Sequence, residues 1–186
     1  MSLLGFCQWL ATTRGSIALH ESLLVYPMIE STHVWSLALF VGFTALLDLR
    51  LLGLLMPRVP VSQVVRRLQP WMIAGFLVMV TTGLLLFYAI PVRTYQSIFF
   101  RLKVSMLVAA GVNAWLFHSK VFLRVAEWDT DPVPPKRVRF AGAASLLLWT
   151  SIIFAGRMIA YNWFDCDRQP QPAIVNWAAG CVVDAE

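Results

Sequence analysis

Charged residues are scarce in this chain. Asp, Glu, Lys and Arg together make up 13% of the sequence, about half of the roughly 25% that is usual in soluble domains. Hydrophobic residues supply 59%, and the mean hydropathy is +0.68. This balance excludes an ordinary soluble domain and predicts an integral membrane protein that contacts the lipid bilayer. The net charge of +5 lies mostly at the ends of apolar runs, so we expect no nucleic-acid partner.

Cysteines and catalytic motifs are also few. The chain has three cysteines and lacks C-x-x-C and C-x-x-C-H, which argues against a zinc ribbon and covalent c-type haem. It has no H-E-x-x-H and no phosphate-binding Gly-rich loop, which argues against a metalloprotease and a nucleotide-binding enzyme. If the protein takes part in catalysis at all, we expect it to be an electron-transfer subunit. The first basic residue is Arg14, which predicts that the N-terminus is not a cleavable signal peptide.

Long apolar runs dominate what remains. Each is long enough to cross a hydrocarbon core of about 30 Å. They predict an all-α fold, a four-helix transmembrane bundle, with spans at 32–55, 71–90, 102–122 and 140–161. Pro70 is expected to open the second span. We expect residues 1–31 to form short interfacial helices, residues 32–161 to form the bundle, and residues 162–186 to form an extramembrane tail.

The predicted orientation follows from the basic residues of two loops. The loop between spans one and two contains Arg58, Arg66 and Arg67. The loop between spans three and four contains Lys120, Arg124, Lys136, Arg137 and Arg139. Because Lys and Arg favour the cytoplasmic side, both termini are expected outside. In an oxidising outer compartment Cys166 and Cys181 could form a disulfide.

His33 is the main candidate for chemistry. An ionisable group in an apolar span is a functional hypothesis, because its burial in lipid is unfavourable. Glu30 lies one helical turn earlier, so the pair predicts a metal site, or a haem b ligand with a carboxylate partner. His20 is the candidate second ligand if the chain reverses at Tyr26-Pro27. In the alternative, Glu30 only orients His33 at a helix start.

Two further groups could contribute to a cofactor site. His118 is a candidate ligand, but it lies roughly 20 Å deeper than His33, so one haem cannot use both. A His118–Asp48 hydrogen bond is the alternative. Lys103 and Arg157 could bind haem propionates or an anionic headgroup, or they could extend to the interface. The groups assigned structural roles are Asp48, Arg50, Asn113, Cys166 and Cys181.

Several stretches carry a resemblance. They are Tyr26-Pro27 with Glu30-x-x-His33, Asp48-Leu-Arg-Leu-Leu-Gly53, Thr82-Gly83, Phe100-x-x-Lys103, Gly111-x-Asn113 and Gly156-Arg157-x-x-Ala160-Tyr161. Together they resemble an uncharacterised family of small bacterial inner-membrane proteins with about four spans. The resemblance implies a bacterial inner-membrane location and no particular chemistry. A looser likeness links the chain to b-type cytochromes and copper-resistance membrane proteins, by fold analogy only.

Three functions are compatible with these patterns. The first is a redox subunit that holds haem b or a quinone near the outer face and passes electrons to a periplasmic redox protein. The second is a cofactor-free accessory subunit, associated with other membrane subunits or with copies of itself. The third is copper or proton transport along the polar residues of span one.

Overall fold

The computed structural model describes residues 2–161, 164, 166 and 169–181, and every regular element in these ranges is a helix. The elements are α1 (Leu3–Ala11), α2 (Arg14–His20), α3 (Val25–Leu51), α4 (Val61–Ala89), α5 (Pro91–Tyr95), α6 (Ile98–Leu116), α7 (Lys136–Met158) and α8 (Ala173–Ala179). Helices α3, α4, α7 and α6 with its following turns are long and apolar enough to cross a membrane. The predicted all-α bundle of a multi-pass membrane protein is confirmed.

The core lies between the four long helices. Its central residues are Phe40, Met79, Ala110, Trp149 and Ile152. The ring of Trp149 meets Phe40 edge-on, with centroids 4.8 Å apart. At Gly75, a Cβ atom would stand 2.8 Å from Leu39 Cδ2, so α3 and α4 approach more closely than a larger residue permits.

The outer faces of the long helices are apolar and exposed. Examples are Leu84, Val108, Trp115, Leu147 and Phe154. A continuous belt of such side chains is unfavourable in water and favourable in hydrocarbon. These faces therefore contact the lipid bilayer.

Helix α3 begins at Val25, earlier than the predicted start at residue 32. The hydroxyl of Ser22 accepts a hydrogen bond from the Val25 N–H at 3.0 Å, which satisfies a backbone donor at the helix start. Pro27 lies in the first turn, where its missing N–H has no helical partner to lose. The chain reversal expected at Tyr26-Pro27 is therefore made by residues 21–24.

Helix α4 also begins earlier than expected, and Pro70 lies inside it. The Asp129 carboxylate accepts hydrogen bonds from the Ser62 N–H at 2.7 Å and the Ser62 hydroxyl at 2.6 Å. Val61 and Val64 are buried in the same turn. These contacts hold the first turns of α4 and offset the one helical hydrogen bond that Pro70 cannot make.

The two ends of the bundle differ. The loop end carries the connections 52–60 and 117–135. The terminal end carries α1, α2, α5 and α8. There the Ser16 hydroxyl donates to the Tyr88 carbonyl at 2.8 Å, and the Thr13 and Tyr88 hydroxyls are 2.8 Å apart. Helix α2 is thus docked on the end of α4, and the interfacial depth of α1 and α2 stays a prediction.

Candidate functional site

Three polar side chains from three helices gather inside the bundle near its terminal end. His33 belongs to α3, Thr82 to α4 and Lys103 to α6. At 1.5 Å per residue, each lies roughly 10 Å from the end of its helix. The Lys103 ammonium is close enough to act electrostatically on the His33 ring. These three residues form the terminal-end cluster.

The hydrogen bond of His33 fixes its tautomer. Nδ1 lies 3.0 Å from Thr82 Oγ1. The Thr82 hydroxyl donates to the Val78 carbonyl at 2.7 Å, so its oxygen is left to accept and Nδ1 carries the hydrogen. In the neutral ring Nε2 is then an unprotonated acceptor. This is the atom that an iron, a metal ion or a ligand hydroxyl would use.

Two glycines make room for the cluster. A Cβ atom at Gly83 would lie 3.2 Å from His33 Cε1. One at Gly156, in α7, would lie 3.3 Å from Lys103 Nζ. Both contacts are tighter than ordinary packing, so a larger residue at either position would displace the polar group beside it.

Lys103 has no compensating acid among the residues that the structure describes. Its side chain is partly buried between α6 and α7, and within the described ranges it makes no hydrogen bond or ion pair. A positive charge inside a membrane bundle is unfavourable by several kcal/mol unless an acceptor or a countercharge is supplied. The terminal-end cluster therefore offers a strong donor to a ligand.

Arg157, predicted to share a ligand with Lys103, lies outside the cluster. Its side chain is exposed. The guanidinium carbon stands 5.6 Å from the centroid of the Tyr161 ring, a cation–π arrangement typical of an interface. The structure thus separates the two cations predicted to act together.

Glu30 and His20 are not brought to His33. Glu30 is exposed and acts electrostatically on Tyr26. His20 is exposed, meets Tyr26 edge-on at 6.5 Å, and borders an open groove of about 370 Å³ between α2 and the start of α5. Across the part of the chain that the structure describes, no three His, Cys, Asp or Glu side chains converge on a metal position.

His118 lies at the opposite end of the bundle from the terminal-end cluster. It is exposed in a π-helical turn, Phe117–Val121, and stacks on Phe122 with centroids 5.7 Å apart. The alternative hydrogen bond to Asp48 is not formed, and the Asp48 Oδ2 atom has no hydrogen-bond partner. The i, i+4 spacing of His118 and Phe122 was a signal for this contact that the sequence analysis missed.

Arg50 joins two connections at the loop end. Its side chain is fully buried, with Nε donating to the Val59 carbonyl at 2.8 Å and Nη2 to the Asp131 carbonyl at 3.1 Å. It thereby ties the connection after α3 to the one before α7. Gly53, with φ +78°, sits against the Pro132 carbonyl in the same place.

Asn113 joins two helices. Its Nδ2 donates to the Ala141 carbonyl at 3.1 Å and joins α6 to α7. Such bonds between helices hold membrane bundles together without taking part in chemistry.

The tail is held by a disulfide and by an arginine that the sequence analysis missed. The Cys166–Cys181 disulfide is confirmed. Arg101 donates to the Ala178 carbonyl at 2.9 Å and to the Tyr95 carbonyl at 3.1 Å, which docks the end of α8 on the bundle. A signal was available, because a cation in the first turn of a helix is unfavourable unless it finds acceptors elsewhere.

Comparison with known proteins identifies a family only. No curated protein and no solved structure matches the chain. A family model matches residues 6–162, which include the terminal-end cluster and Arg50 and leave out α8. The chain therefore belongs to DUF6644, a family of unknown function.

Proposed function

We propose that this protein is a membrane redox subunit that binds the head group of a quinone at the terminal-end cluster. The observation that carries the proposal is the partly buried Lys103 ammonium, whose charge acts on the His33 ring and which has no acidic partner among the described residues. A lipid-soluble ligand with acceptor oxygens is the class that reaches such a site from the bilayer and compensates its charge.

The two side chains offer complementary hydrogen bonds. Lys103 only donates, which suits a quinone carbonyl oxygen. His33 Nε2 only accepts in the tautomer set by Thr82, which suits a hydroxyl of the reduced quinol. The pair therefore suits a ligand whose oxygens are carbonyls in one redox state and hydroxyls in the other. Electrons would pass to or from a separate redox protein, for which a periplasmic partner is the proposal.

Haem b is the alternative occupant, and the same Nε2 atom would be its iron ligand. Two observations make it second choice. His20 and His118 are both exposed and away from His33, so a second axial histidine would have to come from elsewhere. Arg157 also lies outside the cluster, which leaves one inner cation for two propionates.

The test uses protein purified in mild detergent from its native membrane. Bound quinone is extracted with solvent and measured per mole of protein. We expect Lys103→Met to lower it by roughly tenfold or more, the effect of one charge-assisted hydrogen bond. Lys120→Met, an exposed lysine near the loop end, is the matched control.

Two results would overturn this assignment. One is a wild-type protein that contains no quinone. The other is a folded Lys103→Met variant that keeps it. A reduced-minus-oxidised spectrum with a Soret band and an α-band, lost in His33→Ala and kept in His118→Ala, would transfer the site to haem b.

A cofactor-free accessory subunit is the second candidate, favoured by one observation. Helix α8 lies outside the four spans, yet Ile174 and Trp177 are 73% and 82% exposed. Apolar side chains exposed on an extramembrane helix favour a partner subunit. Wild-type protein without quinone or haem, together with cross-links from position 177 to another membrane protein, would support this candidate.

A further inference from the structure

Asp48 is a buried acid that the proposed quinone site does not use. It belongs to α3 and is 4% exposed. Its Oδ2 atom is buried and has no hydrogen-bond partner. Arg50 is the nearest cation along α3, but its hydrogen bonds run to the Val59, Asp129 and Asp131 carbonyls of the loops, and the two side chains form no ion pair.

Among the described residues, no charged side chain acts on the Asp48 carboxyl. On α7, the Ser145 hydroxyl lies within hydrogen-bonding reach of the carboxyl, and Gly142 packs against the Asp48 backbone. On α3, Thr44 lies one turn earlier, and its hydroxyl is already donated to the Phe40 carbonyl at 2.8 Å. An ionised carboxylate without a countercharge in such a site is unfavourable by several kcal/mol.

We infer that Asp48 is a proton-binding site, held as the neutral acid in the resting protein and able to exchange its proton with solvent. The carboxyl lies three residues before the end of α3, roughly 5 Å of helix rise from the loop end. His33 lies about 20 Å away along the same helix. The proton site is therefore distinct from the terminal-end cluster and does not depend on what that cluster binds.

Infrared spectroscopy of the purified protein tests this inference. A protonated carboxyl has a C=O stretch well separated from that of a carboxylate. We expect one such band at neutral pH, shifted when H₂O is replaced by D₂O and lost in Asp48→Asn. Asp129→Asn is the control, because it removes a different aspartate, whose carboxylate accepts two hydrogen bonds from Ser62.

Specific ¹³C labelling of aspartate in wild-type protein replaces the variant if Asp48→Asn does not fold, since the band must then shift with the label. A spectrum without an acid band would overturn the inference, as would a band that survives in a folded Asp48→Asn variant. A band that never shifts in D₂O would show that the Asp48 proton does not exchange with solvent, and that result would also overturn the inference.

Discussion

Thr82 is the residue that decides what His33 presents to a ligand. Its hydroxyl donates to a backbone carbonyl and accepts from Nδ1, so a single side chain sets the histidine tautomer. A neighbour of this kind is how proteins orient histidine ligands in general. The chemistry of His33 therefore depends on a neutral hydroxyl in α4 more than on Glu30.

Thr82→Val tests that dependence. Valine has a similar shape and no acceptor, so we expect a loss of about 1 kcal/mol of stability in detergent. We also expect the ring hydrogen of His33 to redistribute between its nitrogens, as read by ¹⁵N chemical shifts. Thr81→Val, at an exposed neighbour, is the control. Unchanged nitrogen shifts in Thr82→Val would contradict the assigned tautomer.

Gly156 sets the position of Lys103. In Gly156→Ala the new Cβ would press on Nζ, which is the mobile end of a long side chain, so the lysine should move while the bundle stays folded. We expect reduced quinone content with little change in melting temperature. Gly111→Ala is the matched control, since a Cβ there meets nothing within 4 Å. An equal loss of quinone in both variants would argue against a local effect.

At the scale of elements, the Arg50 side chain holds together the two connections of the loop end by hydrogen bonds. Arg50→Lys keeps the charge but cannot reach the Val59 and Asp131 carbonyls with the same fork of donors. We expect a loss of about 3 kcal/mol, since hydrogen bonds from a charged group contribute about 1.5–3 kcal/mol each. Thermal unfolding in detergent measures it, with exposed Arg58→Lys as control. Equal melting temperatures for both variants would refute the role of Arg50.

The existence and number of the spans followed from the sequence, but several boundaries did not. Apolar length alone predicts a span, because the bilayer sets that length. The start of α3 depended on the hydrogen bond from the Val25 N–H to the Ser22 hydroxyl, and the start of α4 on Asp129, which comes from a loop more than sixty residues away. Pro70 was read as a boundary because propensity carries no information about such distant contacts.

The candidate site, too, was only partly predictable from the sequence. Its individual members, His33 and Lys103, were predictable because ionisable groups stand out in apolar spans. Their grouping with Thr82 and Gly156 was not, since it depends on how four helices turn relative to one another. His20 failed as a partner for the same reason, because the reversal at 21–24 directs it toward Tyr26.

At the scale of the whole molecule, the cysteines divide into two classes. Cys166 and Cys181 are bonded, whereas Cys7 is free and 3% exposed, and burial raises the pKa of its thiol. A raised pKa leaves less thiolate at neutral pH, so Cys7 should react slowly with thiol reagents.

Mass spectrometry after alkylation checks this division. We expect no label on the native protein, one after denaturation and three after denaturation with reductant. Cys7→Ser should remove only the first of these labels. Two labels on denatured, unreduced protein that lacks Cys7 would contradict the disulfide in solution.

The unequal closure of the two ends has a mechanical consequence. Arg50 and Asp129 lock the loop end with side chains that each bridge separate segments, whereas the docking of α2 on α4 uses the hydroxyls of Thr13, Ser16 and Tyr88. Neutral hydrogen bonds are individually weaker than those of charged groups. Thermal opening should therefore begin at α2, which can swing away from α4 while Arg101 and the disulfide keep α8 in place. The opening would lie at the end of the bundle nearest to His33 and Lys103.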